Sequence, residues 1–148
     1  MKNILFVCTG NTCRSCMAEA IFNSLCDIKD FKAVSAGIAI VHNSKTSKNS
    51  AMVTKENLNI DISNRNAVQI TRNMLENASL ILTMTARIRD VIINTFPEFK
   101  HKTYTLNEYI SVNSDIVDPF GGDVEIYRHT YNQLKQSISS LLDKLKKM

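Results

Sequence analysis

The run over residues 79–84, Ser-Leu-Ile-Leu-Thr-Met, constrains the fold of this chain more than any other feature. It is strand-length, continuously apolar and does not alternate, as expected for a strand buried on both faces of a helix-covered parallel sheet. Residues 3–8, Asn-Ile-Leu-Phe-Val-Cys, supply a second apolar strand. Met17, Ala18, Ile21, Phe22 and Leu25 fall on one stripe and predict a helix over 16–26. Residues 31–35 alternate like a strand, closed by Gly37. A polar stretch over 42–50 leads into a helix near 51–58, and 60–67 is irregular. A short helix over 71–77 has Thr71 near its N-cap, and a helix over 85–95 is stopped by Pro97. A short strand over 102–106 and a loop over 113–122 precede the clearest helix. Along that helix Tyr127, Tyr131, Leu134, Ile138, Leu141 and Leu145 step by four and three on one face. This alternation predicts an α/β fold: a four-stranded parallel sheet with helices on both faces. No repeat, linker or low-complexity tract interrupts it, so residues 1–148 read as a single domain.

The first strand runs into Cys8-Thr9-Gly10-Asn11-Thr12-Cys13-Arg14-Ser15, and a helix follows at once. A loop that ends at a helix N-terminus presents unpaired N–H groups and the positive end of the helix dipole to an anion. Gly10 and Asn11 tolerate the positive φ that such a loop needs to turn its amides inward. Arg14 adds a planar fork of donors matched to two phosphate oxygens. Cys8, at the base of the cradle, is the candidate nucleophile. Helix N-termini and neighbouring cations favour a thiolate over a thiol. Ser15, placed at the helix N-cap, can donate its hydroxyl to the sulfur.

Cys8-x5-Arg14-Ser15 near the N-terminus, with a distant Asp118-Pro119-Phe120-Gly121-Gly122, resembles the low-molecular-weight protein tyrosine phosphatase family. The Thr-Gly-Asn-Thr-Cys filling and the Asp-Pro-Phe-Gly-Gly segment resemble most its bacterial protein arginine phosphatase branch. The resemblance covers the whole chain. It implies a cysteinyl-phosphate on Cys8, with Arg14 and the loop residues Thr9, Gly10, Asn11, Thr12, Cys13 and Ser15 binding phosphate. It implies that Asp118 protonates the leaving atom and then activates water, aimed by the restriction that Pro119 places on it. Tyrosine-directed members usually carry a bulkier aliphatic residue at the position of Thr12. A small hydroxyl residue leaves room for a guanidinium, which Phe120 can face and Asp118 can pair with. Phosphoarginine in protein substrates is therefore the expected substrate, with phosphotyrosine as the alternative.

The chain departs from the family where a proline usually follows the loop serine, for it has Cys16 there. Cys13 and Cys16 are candidate disulfide partners for Cys8 on oxidation. Cys13-Arg14-Ser15-Cys16 also spells the Cys-x-x-Cys of thiol redox proteins, but Cys-x5-Arg already accounts for Arg14. An arsenate reductase on the same fold relays oxidation to two later cysteines, and none follows Cys26. Cys8, Cys13 and Cys16 lack a well-spaced fourth ligand for zinc. His42, His101 and His129 are scattered and read as surface or hydrogen-bonded core residues. No metal or organic cofactor is implied, because Arg14 and the loop amides neutralise the phosphate. A formal net charge of +4 suits an anionic substrate and is too slight for nucleic-acid binding. No stretch has membrane-spanning length, and thiols placed for reactivity rather than stapling fit a reducing cytoplasm.

Overall fold

The computed structural model describes residues 2–148. Strand β1 (Lys2–Cys8) is followed by helix α1 (Arg14–Leu25), β2 (Phe31–Gly37), α2 (Lys48–Leu58) and α3 (Arg72–Asn77). The chain continues as β3 (Ala78–Thr83), α4 (Ala86–Thr95), a 3₁₀ segment (Pro97–Lys102), β4 (Thr103–Thr105), α5 (Leu106–Tyr109) and α6 (Val124–Lys146). All four strands are parallel, in the order β2-β1-β3-β4. The expected α/β architecture is thus the observed one.

Strand pleating divides the core. Ile4, Phe6 and Cys8 of β1 join Met17, Phe22 and Tyr131 on one face of the sheet. Leu5 and Val7 join Leu75, Ile88 and Ile92 on the other. β1 is central and covered on both sides, as its apolar sequence requires. Tyr127 and Tyr131 are buried in the first of these cores, in keeping with their four-residue spacing. Because the strands are parallel, their carboxyl ends share one rim, and the loop after β1 opens there.

Several boundaries differ from those expected. α1 starts at Arg14, with Cys13 as its N-cap and no side-chain cap, so Ser15 lies inside the first turn. The loop's own geometry starts the helix two residues early, which frees the Ser15 hydroxyl for other partners. β2 continues through Ala36 to Gly37, where register pairs Gly37 with Cys8. A Cβ on Gly37 would lie 2.6 Å from the Thr9 carbonyl oxygen, so only glycine lets the two strand ends approach. α2 begins within the polar stretch because Ser47 caps it by accepting from the Ser50 N–H. After Pro97 the chain winds on as a 3₁₀ segment rather than running directly to a strand. The short strand ends at Thr105, whose capping box with Glu108 starts α5.

β2 is an edge strand, and an α1 side chain covers part of it. Asn23 donates to the Ala33 carbonyl at 3.1 Å and accepts from its N–H at 2.8 Å, as a neighbouring strand would. Asn23→Ala is expected to lower stability by about 1 kcal/mol in urea unfolding. An unchanged midpoint would show that water replaces the amide without loss.

Candidate active site

The loop after β1 is sewn into the surrounding structure by its carbonyls. Cys8, Thr9 and Thr12 C=O groups accept from the N–H groups of Ile38, Ala39 and Ser47 at 3.1, 3.0 and 2.9 Å. With those oxygens turned outward and α1 beginning at Arg14, the first N–H groups of the helix face the cleft. Asn11 alone within the loop takes positive φ, at 56°. Gly10 does not, so its expected left-handed role falls to Asn11, whose side chain holds that conformation from outside the loop.

The cleft encloses about 370 Å³ and is lined by Cys8, Thr9, Gly10, Thr12, Cys13, Arg14, Asp118 and Phe120, with Val41 and Ser44. Cys8 Sγ lies on its floor, almost fully buried. The Ser15 hydroxyl is 2.8 Å from that sulfur, and the Asn11 N–H donates to it at 3.2 Å. Both contacts stabilise negative charge on sulfur. Arg14 is only 5% exposed and donates to the Ile116 carbonyl at 3.2 Å. Its other terminal nitrogen is 3.6 Å from the Asp118 carboxylate. One guanidinium thus lies beside both the loop and Asp118.

Asp118 is held by its own turn. Its carboxylate accepts from the Phe120 N–H at 3.0 Å, and the Gly122 N–H donates to the Pro119 carbonyl at 2.9 Å. Gly121 has φ 81°, which an aromatic side chain there would adopt only under strain. Phe120 projects from the turn at 82% exposure, as a wall of the cleft with no apolar cover. The aspartate side chain is 57% exposed and so has ready access to water.

Asn11 and Ser15, expected among the phosphate contacts, are buried behind the loop instead of lining the cleft. Asn11 Nδ2 donates to Ser15 Oγ at 2.7 Å and to Ser35 Oγ at 3.1 Å. Its Oδ1 accepts from Arg65 and from the Val68 N–H, each at 2.9 Å. Arg65 also donates to Ser35 Oγ at 2.6 Å and pairs with Glu19 at 3.3 Å. Arg65 was not expected at the site, because residues 60–67 carry no periodic signal, and Val41 and Ser44 lie in a loop that carries none either. Ser35 and Glu19 fall on the strand and helix legible in the sequence, but the period of those elements does not mark which polar residue reaches the loop. Arg65→Met removes these charge-assisted bonds, costing about 1.5–3 kcal/mol of stability and lowering kcat by about tenfold or more. Initial rates and thermal unfolding of the same sample test this; an unchanged kcat would show that the loop keeps its shape alone.

All four cysteines are free thiols. Cys13 Sγ lies 3.6 Å from both Ser47 Oγ and Tyr127 Oη. Burial, with this thiol contact second, pushes the Tyr127 hydroxyl up to about 12. Cys16 is wholly buried and donates to the Cys13 carbonyl at 3.1 Å. Burial drives its thiol far above the ordinary range, with the neighbouring Cys8 adding to the effect. The three histidines are exposed and none lines the cleft. Among the described residues no group of three or more His, Cys, Asp or Glu side chains is placed to hold a metal ion.

A thiol under an arginine at a helix N-terminus, at the carboxyl rim of a parallel sheet and opposite an Asp-Pro carboxylate, defines a phosphatase class. The chain belongs to the low molecular weight phosphotyrosine protein phosphatase family, which matches residues 3–148. It is a cysteine-dependent protein phosphatase. It is 40% identical over 143 residues to a protein-arginine-phosphatase of Geobacillus stearothermophilus, covering 96% of this chain and 95% of that one. It is 35% identical over 143 residues to the low molecular weight protein-tyrosine-phosphatase PtpB of Staphylococcus epidermidis, covering 97% and 96%. A YwlE arginine phosphatase mutant with a phosphorylated active-site serine superposes with a TM-score of 0.92 at 34% identity, covering 98% and 96%. No helix among the described residues is long and apolar enough to cross a membrane.

Proposed function

We propose that this protein, as one catalytic domain, hydrolyses phosphoarginine in protein substrates through a cysteinyl-phosphate on Cys8. The observation that carries this reading is the wall of the cleft. Thr12, small and partly exposed, leaves space beside Asp118 and Phe120 where a guanidinium can lie flat. The 40% identity to a protein-arginine-phosphatase supports the same choice. The serine-phosphorylated mutant relative supports a covalent first step.

In the first step the Cys8 thiolate attacks phosphorus while Arg14 and the loop amides hold the equatorial oxygens. The P–N bond breaks, and Asp118 gives its proton to the departing guanidino nitrogen. In the second step Asp118 takes a proton from water as the water oxygen attacks phosphorus. The S–P bond breaks, phosphate leaves, and Cys8 returns as thiolate. Ser15 and the Asn11 N–H steady the sulfur in both steps. The cytoplasm is the compartment consistent with this thiol chemistry.

Phosphotyrosine is the second reading, favoured by the 35% identity to PtpB. Thr12→Ile separates the two. Filling the space beside Phe120 should cut kcat/KM for a phosphoarginine peptide by about tenfold or more and leave a phosphotyrosine peptide unharmed. Equal effects on both substrates would remove Thr12 as the determinant.

A further inference from the structure

Residues 114–117, which lead into Asp118, belong to no helix or strand, yet each of their carbonyls accepts a bond from a side chain. Asn107 Nδ2 donates to Ser114 at 2.9 Å, Gln133 Nε2 to Asp115 at 3.1 Å, Arg14 to Ile116 at 3.2 Å and Thr130 Oγ1 to Val117 at 3.4 Å. On the donor side, the Ile116 N–H bonds the Met84 carbonyl at 3.0 Å, and the Val117 N–H bonds Gln133 Oε1 at 3.1 Å. Thr130, Gln133 and Ser137 step by three and four along one face of α6. Ser137 completes the set by donating to Asn107 Oδ1 at 2.7 Å.

Gln133 alone in this set makes two bonds to the segment. Its amide donates to the carbonyl of residue 115 and accepts from the N–H of residue 117, skipping Ile116 between them. A peptide group of a neighbouring parallel strand would bond in the same pattern. Only one orientation of the amide fits, since a donor must meet the carbonyl and an acceptor the N–H. Given the acid–base role proposed for Asp118, we infer that Gln133 is a positioning residue that fixes the backbone just before Asp118 and so aims its carboxylate at the leaving atom. Arg14 is not the group that depends on Gln133. Ile116, whose carbonyl holds Arg14, has its own bond to Met84 and a side chain only 1% exposed, so it stays in place without Gln133. Asp118 instead sits between a buried Pro119 and an exposed Val117. Without Gln133, Val117 keeps one long bond to Thr130, and water satisfies its N–H without fixing its direction. A misplacement of about 1 Å can cost roughly 10²-fold in rate.

The test is Gln133→Met, which keeps the side chain's length and removes both bonds. kcat/KM, which reports the steps up to phosphoenzyme formation, is compared for two esters. Phenyl phosphate has a basic leaving oxygen, whereas that of 2,4-dinitrophenyl phosphate needs no proton. A loss of about tenfold or more is expected for phenyl phosphate and of less than about twofold for the dinitrophenyl ester. Inorganic phosphate should bind the variant as tightly as the parent, since Arg14 and the loop are unmoved. In an Asp118→Asn background Gln133→Met should cost nothing further, because the group it aims is gone. Equal losses on the two esters, an unchanged kcat/KM for phenyl phosphate, or the same fractional loss on top of Asp118→Asn would overturn the inference. Asp118→Asn alone tells the two roles apart. If that change affects both esters equally, the acid role falls and the inference with it. If it separates the esters and Gln133→Met does not, only the aiming role of Gln133 falls.

Discussion

Cys8→Ser is expected to abolish multiple turnover, with a loss on the order of 10⁴-fold or more in kcat. The cleft offers no substitute for the sulfur. None of the three histidines lines it, and the hydroxyl of a serine would find no adjacent base to take its proton. A serine that did accept the phosphoryl group would bind it through oxygen, a poorer leaving group than sulfur, and the second step would stall. Arg14 and the helix N-terminus are untouched by the change. Inorganic phosphate should therefore bind the variant about as well as the parent, which isothermal titration can read. Retained turnover within about tenfold of the parent would remove Cys8 from the nucleophile role.

Asp118→Asn is expected to lower kcat by roughly 10²–10⁴-fold. The carboxylate is asked to give a proton in one step and to take one in the next, and an amide does neither. Its position serves both tasks. It faces the cleft, lies 3.6 Å from Arg14 and remains 57% exposed, so water can reach it for the second step. The Asp118 end of this pair is exposed and its 3.6 Å contact is loose, while the buried Arg14 keeps its bond to the Ile116 carbonyl, so losing the carboxylate charge costs little in folding. The thermal midpoint should consequently stay close to that of the parent, and the kinetic loss cannot be charged to unfolding. Stopped-flow traces should show the loss in both phosphoenzyme formation and its hydrolysis. A decrease of less than about fivefold in kcat would contradict the assigned role and favour a redox or binding protein on the same frame.

The parts of this account that were legible in the sequence are local ones. Residues 79–84 and 3–8 announced buried parallel strands because a strand covered on both faces has no polar face to show. Thr71 marked a helix start because its hydroxyl caps the N–H of Met74 at 3.2 Å. Cys8 and Arg14 could be paired because one short loop brings them to one cleft. What stayed hidden was made by contacts between distant segments. Arg65 reaches Asn11 across more than fifty residues, and nothing in the stretch around it repeats at a structural period. Val41 enters the cleft from the loop after β2, where no pattern singles out a wall-forming residue. By sequence Gly37 marks only the end of a strand, whereas its missing Cβ is what admits the Thr9 carbonyl. Ser15 resembled a cap by sequence, yet the turn at Asn11 moved the cap to Cys13 and turned the serine hydroxyl toward sulfur.

The most direct measurement is phosphate release from a phosphoarginine peptide and a phosphotyrosine peptide of the same flanking sequence, under reducing conditions, with Cys8→Ser as control. The account predicts a kcat/KM at least about tenfold higher for phosphoarginine, lost in the control. Equal or greater activity on phosphotyrosine would contradict the role given to Thr12 and Phe120 and leave the chain a tyrosine-directed member of its family.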